Sequence, residues 1–180
     1  MPRLYKNRYR INSTRLPQWD YRSPGMYFIT VCTRARKCWF GDIVDNEMMV
    51  SKEGAIVKEE LINTQNIRKN VLIDTSIIMP NHIHAIINIF DTVETSRRDV
   101  STLELKPNSI SSIINQIKSI CTKRIRLFNK QFSWQPRFYE HIIRNDYSLG
   151  LIRHYIKYNA LNWKTDDENP VYAVRVPSIS

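Results

Sequence analysis

His82 and His84 stand two residues apart at the head of the apolar run Ile83-His84-Ala85-Ile86-Ile87-Asn88-Ile89, just after the turn-forming pair Pro80-Asn81. On a strand successive side chains point to opposite faces, so the two imidazoles leave the sheet together while Ile83, Ala85 and Ile87 point the other way. Such a pair is ready to bind a metal. Imidazole suits several divalent ions, and two protein donors leave most of the coordination shell to a third side chain, water or a substrate oxygen. Residue type leaves one alternative open, two ordinary strand histidines. Far downstream, Tyr155 and Asn159 are four residues apart, hence one turn apart on one face of a helix.

Several elements must position these residues. Tyr27-Phe28-Ile29-Thr30-Val31-Cys32-Thr33 is β-branched and aromatic, and its apolar density marks a central strand. Two short strand-like pieces around Asp45-Asn46 form a hairpin. Propensity predicts a helix over 52–66, with an apolar set at 55, 58/59 and 62. Val71 to Met79 and His82 to Phe90 form an antiparallel pair joined at Pro80-Asn81. Residues 91–107 mix charge with Ser and Thr and read as a surface loop. Ile110, Ile113, Ile114, Ile117, Ile120 and Cys121 recur at spacings of three and four, an amphipathic helix running to about Phe128. A loop and short strand follow through Arg144. A last helix, capped at Asn145-Asp146, runs to about Trp163, with Leu149, Ile152, Ile156, Ala160 and Trp163 facing the sheet. This order predicts an α+β sandwich, a mainly antiparallel sheet with helices packed on one face. The chain divides into a basic arm (1–24), one domain (25–163) and an extended tail (164–180).

The chain has 180 residues, 42% of them apolar, enough for one ordinary core. Lys and Arg outnumber Asp and Glu by 27 to 17, a formal charge of +10, which points to an anionic partner. The arm interleaves Arg8, Arg10 and Arg15 with tyrosines, a pattern that can hold phosphates and stack bases, or be only a solvated end. Lys118, Lys123 and Arg124 give the 110–128 helix a basic face that either contacts DNA or is only solvated, and Trp134, Arg137 and Phe138 either clamp DNA or pack. No apolar run approaches the roughly 20 residues that cross a bilayer, and the first residues lack a signal core, so the expected location is cytoplasmic, associated with the nucleoid. Cys32, Cys38 and Cys121 form neither a CxxC nor an even set, and are expected to be core or incidental thiols.

Four blocks in order carry a resemblance: Met79-Pro80-Asn81-His82-Ile83-His84; Ser109-Ile110-Ser111-Ser112-Ile113-Ile114 through Lys118-Ser119; Trp134-Gln135-Pro136-Arg137-Phe138-Tyr139-Glu140-His141-Ile142-Ile143-Arg144; and Tyr155-Ile156-Lys157-Tyr158-Asn159. Together they resemble the REP-associated tyrosine transposases of the single-tyrosine HUH group, over roughly residues 16–163. The resemblance implies a ferredoxin-like domain in which paired histidines bind a divalent metal, Mg²⁺ or Mn²⁺. It also implies a helix-borne tyrosine that attacks single-stranded or hairpin DNA, leaving a 5′-phosphotyrosine link and a free 3′-hydroxyl. By motif position the nucleophile falls on Tyr155 and the metal ligands on His82, His84 and Asn159. Glu140 is a candidate minor metal neighbour on its residue type alone. The family often has Pro after the last ligand, whereas Ala160 stands here. Tyr139, Tyr147 and Tyr158 are rival nucleophiles, but only Tyr155 has a carboxamide four residues on; packing within a hydrophobic flank is the other reading of Tyr155. The REP-associated branch tilts the expectation toward a monomer, with a homodimer as the alternative. A non-cleaving hairpin-DNA-binding protein and a hydrolase using activated water are the competing functions.

Overall fold

In a computed structural model, the described residues are 23–90 and 109–171, together with the backbone of two short strands, β1 (Leu4–Tyr5) and β2 (Tyr9–Arg10), which pair antiparallel. Arg8, Arg15 and the 91–107 loop lie outside the described residues, and Arg10 is described by its backbone alone. The body follows as β3 (Gly25–Cys32), β4 (Gly41–Val44), β5 (Glu47–Val50), α1 (Lys52–Ile67), β6 (Val71–Ile78), β7 (His82–Ile89), α2 (Ile110–Ile125), β8 (Tyr139–Ile143) and α3 (Asp146–Tyr158), then a 3₁₀ turn over Ala160–Thr165.

The main sheet has the order β6-β7-β3-β8, with every neighbouring pair antiparallel. Leaving the β4–β5 hairpin aside, the chain runs strand, helix, strand, strand, helix, strand, and the first strand lies between the third and the fourth. That is the ferredoxin-like arrangement. The hairpin turns through Asp45 and Asn46, both at positive φ (50° and 65°), as a two-residue connection matched to strand twist requires.

Strand β7 is buried on both faces, as a central strand must be. Ile83, Ala85 and Ile87 join Tyr27, Ile29 and Val31 of β3 beneath α1 and α2, the main core. Each fully buried isoleucine contributes about 1.5–3 kcal/mol. His82, His84 and Ile86 face the other way. That second face also needs a cover, so while α1 and α2 share one face as expected, α3 lies across the opposite one, closing a smaller cluster of Ile86, Ile143, Leu149 and Ile156. Arg153 of α3 pairs both carboxylate oxygens of Asp74, the residue that a bulge between Ile73 and Thr75 leaves out of the ladder on edge strand β6.

Two helix expectations need correction. The buried stripe of α1 is Gly54, Val57, Leu61 and Thr64, not the set at 55, 58/59 and 62; Ile62 is half exposed. Gly54 decides this. A Cβ there would come within 2.3 Å of the Phe40 carbonyl oxygen, so the helix can approach the chain only with its glycine inward. Ser51 caps the helix by accepting from the Gly54 N–H at 3.1 Å. Likewise α3 ends at Tyr158 and not near Trp163; after Asn159 the chain tightens into the 3₁₀ turn, which swings Trp163 off the apolar stripe.

Candidate active site

The register places Thr30 of β3 directly between His84 of β7 and Tyr139 of β8, all on the α3 face. Above them α3 is started by Asn145, whose side chain accepts from the Ser148 N–H at 2.8 Å, and its last turns carry Tyr155 and Asn159 over the histidines. The Tyr155 hydroxyl lies 3.1 Å from His84 Nε2, and the two rings meet edge-on with centroids 5.1 Å apart. Phe28 stacks on His84 at 5.3 Å and meets Tyr155 edge-on at 6.1 Å, bracketing imidazole and phenol together.

Neighbouring side chains fix the imidazole orientations. Asn81 is fully buried, and its Nδ2 donates to the carbonyls of Arg36 (3.0 Å) and Glu168 (2.7 Å), so its Oδ1 must be the atom facing His82. At 2.8 Å that oxygen accepts from His82 Nδ1–H, and Nε2 keeps its lone pair. His84 Nδ1 lies 2.9 Å from the Thr30 hydroxyl; with that oxygen accepting, Nε2 is again the basic atom and the Tyr155 hydroxyl donates to it. Burial pushes the His82 pKa down to about 3, with Arg36 adding to the shift. His84 is held well below its usual range by burial and by His82, partly offset by Asp166. Both are therefore neutral imidazoles, the form that binds a metal.

The site also passes a fit test for a cation. His82 Nε2 and Asn159 Oδ1 are buried and have no hydrogen-bond partner among the described residues. A buried lone pair left unpaired costs about 1–3 kcal/mol, and two that border one cluster suit a bound cation. Asp166 completes the cluster: one nitrogen of each imidazole and an oxygen of its carboxylate all lie within 4.8 Å of one another. Reading 164–180 as an extended tail misses this residue, because after the 3₁₀ turn residues 166–169 dock against Asn81 and Arg36. The sequence carries no periodic signal there beyond a run of acids, Asp166-Asp167-Glu168.

Among the donors stands a phenol that is hard to ionise. Burial, and then the charge of Asp166, push the Tyr155 pKa up to about 12 against a hydrogen bond from Asn159 that lowers it. About one such phenol in 10⁵ is ionised at neutral pH, so chemistry at Tyr155 calls for positive charge in the site.

No protein-family model matches the chain. An uncharacterized protein of Haemophilus influenzae strain Rd is 36% identical over 162 residues, which span 86% of this chain and 90% of that protein. The chain belongs to the same family. Among solved structures, a REP-associated tyrosine transposase bound to a REP hairpin superposes with a TM-score of 0.58 at 23% identity, over 82% of this chain and 73% of that one. The family member described here thus has the fold of the transposase group that its four sequence blocks resemble. A candidate transposase of Deinococcus radiodurans R1, with a TM-score of 0.45 at 11% identity, carries no further weight.

In this family member the remaining sequence candidates divide between the faces. Helix α2 packs on the core face, so Lys118, Lys123 and Arg124 stand across the sheet from the histidines. Arg124 pairs with Glu59 (2.8 Å) and Glu60 of α1, while Lys123 is exposed. Trp134 packs against Phe40 and Phe132 and donates from Nε1 to the Lys118 carbonyl at 3.2 Å; Phe138 packs at the core margin, and Arg137 is exposed. Glu140 is not a metal neighbour: its ladder partner is Ile29, so it shares the core face, opposite His84.

Lys118 donates from Nζ to the carbonyls of Gln135 (2.7 Å) and Arg137 (3.3 Å), clipping the 134–138 loop to α2. Burial lowers its pKa to about 8, against 10.5 for the free side chain. Between those values the unfolded chain holds a proton on this lysine that the folded one has released, so Lys118 contributes stability that rises with pH, while the buried Cys32 and Cys121 thiols, raised from 9.0 to about 12, oppose it. The Lys118 contribution is expected to vanish in Lys118→Met, and the difference between urea titrations of the two proteins at pH 7.5 and 10 checks it.

Proposed function

We propose that the protein is a metal-dependent single-stranded DNA endonuclease and strand transferase, a transposase-type enzyme acting at hairpin-associated sites. The observation that carries this reading is the Tyr155 hydroxyl 3.1 Å from His84 Nε2, beside a neutral imidazole pair. His82, His84 and Asn159 would hold a divalent ion, Mg²⁺ or Mn²⁺, which when bound supplies Lewis-acid stabilisation of the charge developing on the phosphate. The residues of the chain do the rest. Helix α3 and the Phe28 bracket hold the phenol for in-line attack, a positioning gain. The Tyr155 oxygen forms a bond to phosphorus and loses its proton, the bond from phosphorus to the 3′ oxygen breaks, and that oxygen takes up a proton. The outcome is a 5′-phosphotyrosine and a free 3′-hydroxyl, and the reverse attack rejoins strands.

The partner is DNA. Support comes from the formal charge of +10 and from the fold, shared with a transposase bound to a REP hairpin. We place the protein in the cytoplasm at the nucleoid, as a monomer. No helix among the described residues is long and apolar enough to cross a membrane.

Incubation with pooled hairpin oligonucleotides and MgCl₂ or MnCl₂ is expected to give a protein–DNA adduct that survives SDS and disappears with EDTA. Tight, steeply salt-dependent binding without an adduct in any divalent ion would instead make the protein a binding module. Strand scission without an adduct would make it a hydrolase.

A further inference from the structure

We infer that Asp166 is itself a donor to the divalent ion, so that the site is an anionic cage of two imidazoles and a carboxylate closed by the turn after α3. This rests on the metal site of the proposed function and changes its charge, since His82, His84 and Asn159 alone make a neutral cage. One oxygen of Asp166 accepts from the Glu168 N–H at 2.6 Å and the other from Asn159 Nδ2 at 3.3 Å, so the carboxylate is already oriented beside the imidazoles. Asn159 is then a positioning residue for Asp166 as well as a source of its own oxygen.

The turn that carries Asp166 is built into the fold. Asn81 donates to the Glu168 carbonyl, and the Arg36 guanidinium donates to the Asp167 carbonyl at 2.8 Å and pairs with the Glu168 carboxylate at 3.1 Å. Asn169 is buried, donating to the Trp163 carbonyl and accepting from the Val171 N–H. Through Asn81, one side chain sets both the orientation of His82 and the seat of the turn, as the outer partners of a metal ligand do. Arg36 is engaged with Glu168, two residues along the turn from Asp166. His82 Nε2, buried and without a hydrogen-bond partner among the described residues, is a lone pair that can share a cation with the Asp166 carboxylate.

Mn²⁺ binding to the full-length protein without DNA tests this, with affinity read by titration calorimetry and the ligand set by electron paramagnetic resonance. Asp166→Asn keeps the shape and removes the charge; it is expected to weaken Mn²⁺ binding by at least about tenfold while the imidazole nitrogen couplings persist. Asp167→Asn, which removes the same charge one residue along, is expected to stay within about twofold of the natural protein. Circular dichroism and the thermal midpoint establish that each variant is folded. Equal weakening in both variants would reduce the effect to a general field and overturn ligation. Undiminished affinity in Asp166→Asn, with binding lost in His82→Ala, would overturn Asp166 alone and leave the histidine site standing. If the natural protein bound no Mn²⁺, the metal site and this inference would fall together. If Mn²⁺ binding followed Asp166 but no DNA adduct formed, the proposed function would fail and the inference would stand.

Discussion

Tyr155→Phe is expected to abolish the covalent protein–DNA adduct, a loss of at least about 10³-fold, while hairpin affinity and the thermal midpoint stay close to those of the natural protein. The substitution removes one oxygen from a half-exposed side chain that hydrogen-bonds His84 Nε2, and it keeps the ring contacts with Phe28 and His84. That bond is worth about 0.5–1.5 kcal/mol, small beside the loss of the proposed nucleophile. The rival tyrosines are separated by geometry. Tyr147 lies in the first turn of α3 and is 77% exposed, and Tyr158 packs at a tilt on His154, ring centroids 4.4 Å apart. Tyr139 alone sits near the site, edge-on to Phe28 at 6.2 Å, so peptide mapping of any adduct left in Tyr155→Phe should look there first.

The second large effect falls on the histidines. In His82→Ala and His84→Ala, adduct formation in Mg²⁺ or Mn²⁺ is expected to drop by a similar factor, and the thermal response to metal should vanish. For the natural protein, an ion at about 100 times its dissociation constant adds about 2.7 kcal/mol of stability, because it binds only the folded chain. Thermal unfolding with and without MnCl₂ reads this directly. A metal-induced shift that persisted in both variants would remove the histidines from the site. The two should differ without metal. His84 makes contacts to Thr30, Phe28 and Tyr155 that its loss breaks, whereas truncating His82 breaks its bond to Asn81 Oδ1 but also removes an unpartnered buried nitrogen, which offsets part of that cost.

How much of this was legible in the sequence depends on whether a residue's neighbour is set locally. The alternation around His82 and His84 defined their shared face because a strand has a period of two, and the apolar spacing of α2 defined its buried side. The stripe of α1 was misread because its inward face is made of Gly54, Glu60 and Thr64 as well as Val57 and Leu61, types that a hydrophobic count passes over. The end of α3 carried no Gly or Pro, and Ala160 stands where the resembled family often has Pro, so nothing local announced the change to a 3₁₀ turn. Asp166 was invisible for a stronger reason: its place is set by Asn81 and Arg36, from distant parts of the chain. The basic residues told of an anionic partner but not of a face, since Arg124 turned out to be engaged by two glutamates and Lys118 by two carbonyls.

Burial of β7 on both sides has a consequence for how the site breathes. The amides of His82 and His84 belong to a central strand paired on both edges, so they exchange with solvent only through openings on the scale of the whole domain. Tyr155 and Asp166 are held instead by a small apolar cluster and by a turn tied down with side-chain hydrogen bonds, the kind of attachment that opens locally. One half of the site is therefore a fixed anvil. The half that bears the phenol is joined to it through side chains, the Ile86 cluster, the Arg153–Asp74 pair and Asn81.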